Sequence, residues 1–153
     1  MGCDIHVFIE KKIDEKYDTW EAVQLYKIDQ YSHKLEVVNP YDGRNYGLFS
    51  ALAGVRGWEE PFISPRGLPK NLSREIEKEE AWWGEDAHTR TWYDLFELQL
   101  FIKEYVMKDS GDEEIILALE DFFDSLISYL HFAGEFIFKF EPNKYRIIMW
   151  FDS

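Results

Sequence analysis

From the fourth position onward, apolar and polar residues alternate. Ile5, Val7 and Ile9 follow Cys3 on one face of an extended chain, while Asp4, His6, Phe8 and Glu10 take the other. This period of two predicts a strand over residues 4–12, with a second over 17–28 beyond the polar turn Asp14-Glu15-Lys16, so that the chain opens on a hairpin. A short strand is expected at Leu35-Glu36-Val37-Val38, before Asn39-Pro40 and Asp42-Gly43 interrupt it. The spacing then lengthens. Tyr46, Phe49, Leu52 and Ala53 share one face of a two-turn helix, with Asn45 as its cap and Gly54 as the left-handed residue past its end.

Gly57, Pro61, Pro65, Gly67 and Pro69 prevent regular structure between Val55 and Asn71, and a long loop of this kind is where function tends to sit. Ser73 opens a charged helix through Glu80 that ends near Trp82-Trp83-Gly84. Thr91 reads as the cap of a stronger helix from Trp92 to about Met107, with Leu95, Leu98, Ile102 and Val106 on its core face. Asp112 starts another, in which Ile116, Leu119, Phe123, Leu126 and Leu130 recur at three- and four-residue steps until Gly134. Residues 135–140 and 145–152 are strand formers on either side of Glu141-Pro142-Asn143-Lys144, which predicts a closing hairpin. Strands, then helices, then strands predict one α+β domain over residues 1–153. Its antiparallel or mixed sheet would be built from the N-terminal and C-terminal hairpins, with helices packed mainly on one side.

A hydrophobic content of 46% and an aromatic content of 18% are enough for a packed core despite a formal charge of −13. That charge speaks against general attraction to nucleic acid or anionic lipid, since phosphate binding rests on basic residues. The single cysteine, Cys3, excludes a disulfide framework, and no apolar run is long enough for a membrane span, so a cytoplasmic protein without a membrane partner is expected. No phosphate-loop, dinucleotide or nucleophile-elbow motif is present.

Candidate chemistry gathers in three places. Asp4 and His6 point the same way from the first strand, about 7 Å apart at roughly 3.3 Å per residue. Arg44, Arg56 and Arg66 are the only basic residues between Tyr41 and Pro69, and their planar forks suit phosphate or carboxylate. His88, Thr89 and Thr91 precede the expected helix at Trp92, whose free amides would favour an anion. Here His6 and His88 are the candidate proton carriers, while Asp4, Arg44, Asn45, Arg56, Arg66, Thr89 and Thr91 are the candidate ligand-binding groups. Asp4, His6 and His88, joined by Asp86 or Asp152, would be the donors for a divalent metal, the one cofactor these residues suggest.

The blocks Met1-Gly2-Cys3-Asp4-Ile5-His6, Arg44-Asn45-Tyr46 with Leu48-Phe49 and Leu52-Ala53-x-Val55-Arg56, Pro65-Arg66-Gly67-Leu68-Pro69, and Asp86-x-His88 followed by hydroxyl residues and Trp92 carry a resemblance. In these the chain resembles a family of phage- and prophage-encoded proteins, over about a third of its length. The resemblance implies a phage setting inside a host cell and brings no activity with it. The expectation from the residues is an accessory protein whose polar cleft binds a phosphorylated small molecule, a nucleotide or nucleotide signal, with hydrolysis as an added step. The alternative is an acidic decoy that presents Glu75 to Glu80 and Glu113 to Asp124 to a basic host protein.

Overall fold

A computed structural model describes residues 2–108 and 111–153. Its centre is a four-stranded antiparallel sheet in the order β2-β1-β6-β5, formed by β1 (Asp4–Asp14), β2 (Thr19–Ala22), β5 (Ala87–Asp94) and β6 (Tyr145–Asp152). A separate two-stranded ribbon joins β3 (Leu25–Ile28) to β4 (Leu35–Val38). The helices are α1 (Tyr46–Ala53), α2 (Arg74–Trp83), α3 (Leu95–Val106) and α4 (Glu113–Phe132). The α+β class and the sheet built from both ends of the chain match the reading of the sequence.

Strand β6 explains the sheet. Residues Tyr145 to Phe151 are all buried, because β6 pairs with β1 on one side and β5 on the other and is covered on both faces. Ile147, Met149 and Phe151 meet the main core, with Ile5, Val7 and Ile9 of β1 and the inner faces of α1, α3 and α4. Ile148 and Trp150 turn to the opposite face, where Ile76 of α2, Leu68, Leu72 and Trp83 cover them. Three helices therefore lie on one side, and α2 with the loop before it lies on the other.

Four expectations give way to the structure. The strand over 17–28 is broken, with β2 in the main sheet and β3 in the ribbon, where Tyr129 Oη accepts from Leu25 N at 2.7 Å. Residues 135–140 form no strand, since β6 already has a partner on each edge. Helix α4 turns Ile115, Phe122 and Tyr129 inward beside Leu119, Leu126 and Leu130, leaving Ile116 and Phe123 only partly buried.

The largest difference is at Thr91 and Trp92, which belong to β5 and not to a helix. The helix begins at Leu95, capped by Asp94 in a capping box with Glu97. His-Thr-Arg-Thr-Trp-Tyr is rich in residues that fit a pleated surface. Thr91 and Tyr93 point to the main core while Trp92 points to the other face, an alternation that a helix cannot satisfy.

Candidate functional site

Antiparallel register fixes where each candidate points, because residues directly opposite on neighbouring strands share a face. His6 lies opposite Trp150 and Asp4 opposite Asp152, so both face the α2 side of the sheet. His6 Nε2 and Asp152 Oδ2 are hydrogen-bonded at 2.7 Å, and the imidazole rests on Trp83 with ring centroids 4.1 Å apart. Arg90 fixes this end of α2 by bonding Glu80 Oε1 through Nε and the Gly84 carbonyl through a terminal nitrogen. Arg44 grips Asp4 Oδ1 with two nitrogens, at 2.9 and 2.7 Å, and that contact holds its guanidinium pKa above the ordinary value. The pairing of Asp4 with His6 is thus real in direction, but Asp152 orients the imidazole and Arg44 occupies Asp4.

His88 does not join them. It lies opposite Phe151, facing the main-core side, with Nδ1 bonded to Thr89 Oγ1 at 2.9 Å and Nε2 to Ser153 Oγ at 3.2 Å. The expected site in which both histidines handle a proton is therefore divided by the sheet itself. The proposed metal set fails for the same reason, and among the described residues no group of three or more His, Cys, Asp and Glu side chains is placed to hold a metal ion.

The remaining candidates have other employment. Asn45 caps α1 by accepting from Leu48 N at 2.9 Å, and it lines a shallow hollow in which Arg44 is opposed by Glu114 and Asp121, a poor setting for an anion. Arg56 stacks over Tyr46 at 5.7 Å from the ring centroid. Thr89 sits in a bulge between His88 and Thr91 with φ of 54°. Thr91 is fully buried, and its hydroxyl accepts from Arg66 N at 3.1 Å, so it anchors the Pro-rich loop and offers nothing to an anion. With no helix starting at Trp92, the expected anion site before it is absent. Cys3 is buried with its thiol pKa raised by desolvation, which makes it a poor nucleophile.

Arg66 lies at the other end of the sheet. Six residue steps along β6 separate the Asp152 level from the Arg146 level, about 20 Å at roughly 3.3 Å per residue. There, on the α2 side, is a groove of about 550 Å³ with walls formed by Trp20, Trp92, Lys12, Arg66, Lys70 and Arg146. Strands β2, β5 and β6 deliver Trp20, Trp92 and Arg146, and β1 delivers Lys12. The loop after α1 delivers Arg66 and Lys70, turning at Gly67, whose φ is 77° and whose N–H donates to the Arg90 carbonyl.

Each tryptophan carries a guanidinium. Arg66 lies 4.5 Å over Trp92 and Arg146 lies 3.9 Å over Trp20. Glu97 holds Arg66 with both oxygens, a contact that raises the guanidinium pKa and keeps its charge fixed. Glu10 is fully buried and holds Arg146 Nε at 2.5 Å through Oε1, while its Oε2 accepts from Ser73 N. Burial lowers the Arg146 pKa, and the Glu10 carboxylate opposes that shift.

Asp18 and Asp94 are the acidic residues of the groove, against four cations. Asp18 is already occupied by the Trp20 indole N–H, the Asn71 amide and, at 3.5 Å, the Lys12 ammonium. Asp94 caps α3, and desolvation raises its pKa. Lys70 is exposed and makes no ion pair among the described residues.

Of the residues singled out in the sequence, only Arg66 lines this groove. The one sequence signal among the others was Arg146, a charged residue inside the otherwise apolar strand β6, which demands a buried partner. No family model matches the chain, nor does any curated protein or solved structure.

Proposed function

We propose that this is a phage-type accessory protein that binds a phosphorylated small molecule with a planar ring, most simply a nucleotide, in the groove between Trp20 and Trp92. One observation carries the reading: in a chain of net charge −13, this groove sets two tryptophans beside four cationic side chains, two of them braced from behind by Glu97 and Glu10 and one, Lys70, without an ion pair among the described residues. A ring stacks on an indole, and a phosphate is met by Lys70, Lys12 and the outer edge of Arg66. The groove is largely formed in advance, because Arg66 and Arg146 are held by carboxylates and stacked on rings, so little side-chain order remains to be gained on binding. The histidines stand about 20 Å away along the strands, and the reading is therefore one of binding without hydrolysis.

Titration of nucleoside monophosphates against tryptophan fluorescence tests it, with calorimetry as an independent readout. Quenching and heat are expected, with the unphosphorylated nucleoside binding more weakly. Trp92→Ala should lose about 1–3 kcal/mol of binding, the usual value of one base on one aromatic ring. Lys70→Ala, at an exposed position, should weaken the nucleotide but not the nucleoside. Absence of both quenching and heat with mono-, di- and triphosphates would remove the reading.

A further inference from the structure

The groove does not stop at Lys12. A second depression of about 540 Å³ begins at the same lysine and is walled by Lys11, Ile13, Phe136, Phe138 and Tyr145, together with Lys139 and Lys144. The single turn Pro142–Lys144 stands between the two hollows, giving Asn143 to the first and Lys144 to the second. Together they hold seven of the chain's 17 lysines and arginines and four of its 30 carboxylates, with Glu97 and Glu10 paired to Arg66 and Arg146 behind the walls. The protein is strongly acidic as a whole, whereas along this track cations are matched by carboxylates nearly one for one and Lys70 has no ion pair among the described residues.

The second depression also presents apolar side chains that the fold leaves uncovered. Phe138 is 98% exposed and Ile137 72% exposed, in a segment after Gly134 that takes no part in the sheet. Phe136 is packed against Phe140 and Tyr145, so the loop has an anchored base while its tip faces solvent. An exposed aromatic ring beside lysines is the pairing that receives an unstacked base and its phosphate.

We propose that the two depressions form one continuous track for a single-stranded nucleic acid, with bases against Trp20, Trp92 and Phe138 and phosphates on the lysines and arginines between them. This rests on the nucleotide reading of the first groove and extends it from one nucleotide to a strand. A duplex hides its base faces and is stiff, whereas a single strand offers both faces and bends around the end of the sheet between the two hollows. The exposed lysines exchange partners readily: Lys139 and Lys144 lie 3.8 and 3.0 Å from Glu141, and such surface pairs are held weakly. Net charge slows the approach of a polyanion from afar, but contact affinity depends on the cations along the path.

Anisotropy measurements on the full chain, with labelled oligothymidylate and oligouridylate of about four and about twelve nucleotides and a duplex of the longer length, test the track over the size range of known single-strand sites. The longer single strands are expected to bind at least about tenfold more tightly than thymidine monophosphate, and log K should fall with log salt by about 0.7 for each phosphate neutralised. The pair Phe138→Ala and Lys139→Ala, both at exposed positions, should weaken the longer strand by about tenfold and leave the monophosphate unchanged.

Equal affinity for the monophosphate and the longer strand would overturn the track and leave the nucleotide groove standing. Strand binding without any monophosphate binding would overturn the small-ligand reading and keep the track. If the Phe138→Ala, Lys139→Ala variant binds the strand as well as its parent, or if the duplex binds best, the track is wrong and the exposed loop serves a different partner.

Discussion

Glu10 and Arg146 show how one pair of residues fixes a site. Both face the α2 side of the sheet and lie opposite each other in register, and neither has water to solvate it. Removing one partner strands the other charge. Arg146→Met is therefore expected to cost about 3–5 kcal/mol in urea unfolding, and replacing both residues with apolar ones of similar size should cost much less. Asp18 gives a second test. The Trp20 indole N–H, followed by the Asn71 amide, holds its carboxyl below the ordinary value. A carboxyl with a depressed folded pKa adds stability above its unfolded pKa of about 3.9 and loses it as pH falls through the lower folded value. The melting-temperature advantage over Asp18→Asn should thus be present at neutral pH and vanish in acid. The Glu10–Arg146 pairing could not be read from the chain, because the partners are 136 residues apart, although a charge inside the apolar strand β6 announced that a partner must exist.

At the scale of elements, β1 was legible from the alternation that runs from Asp4 to Ile9, and helices α1 and α4 from apolar residues at helical spacing behind the caps Asn45 and Asp112. Strand β5 was not. Its last residues run directly into a helical period at Leu95, and only pairing with β6 shows that the residues before Asp94 are extended. The bulge in β5 holds Thr89 at a φ of 54°, a region unfavourable for a β-branched residue. Thr89→Gly is expected to raise stability by about 1 kcal/mol in thermal melts. A decrease would show that the hydroxyl bond to His88 outweighs the strain. Gly57 is the converse case: an added Cβ would come within 2.5 Å of the Tyr46 carbonyl oxygen and 2.3 Å of the Ser50 side chain. Gly57→Ala should therefore cost about 1–3 kcal/mol, measured by the same melts.

For the whole molecule, a charge of −13 predicts self-repulsion that salt relieves. The melting temperature should rise from low ionic strength toward about 1 M salt, where the screening length is about 3 Å, and a flat response would mean that self-repulsion contributes little to its stability. Among the described residues no helix is long and apolar enough to cross a membrane. The sequence by itself determined the α+β class, the caps of α1 and α4 and the inward face of β1, because local periodicity and capping chemistry act over a few residues. Only the tertiary structure decided that β6 lies in the middle, that His6 and His88 fall on opposite faces, and that Trp20, Arg66, Trp92 and Arg146 share a groove. Those outcomes depend on strand order and register, which turn alternating residues to one side or the other and are set by contacts between segments more than a hundred residues apart, such as Glu10 and Arg146.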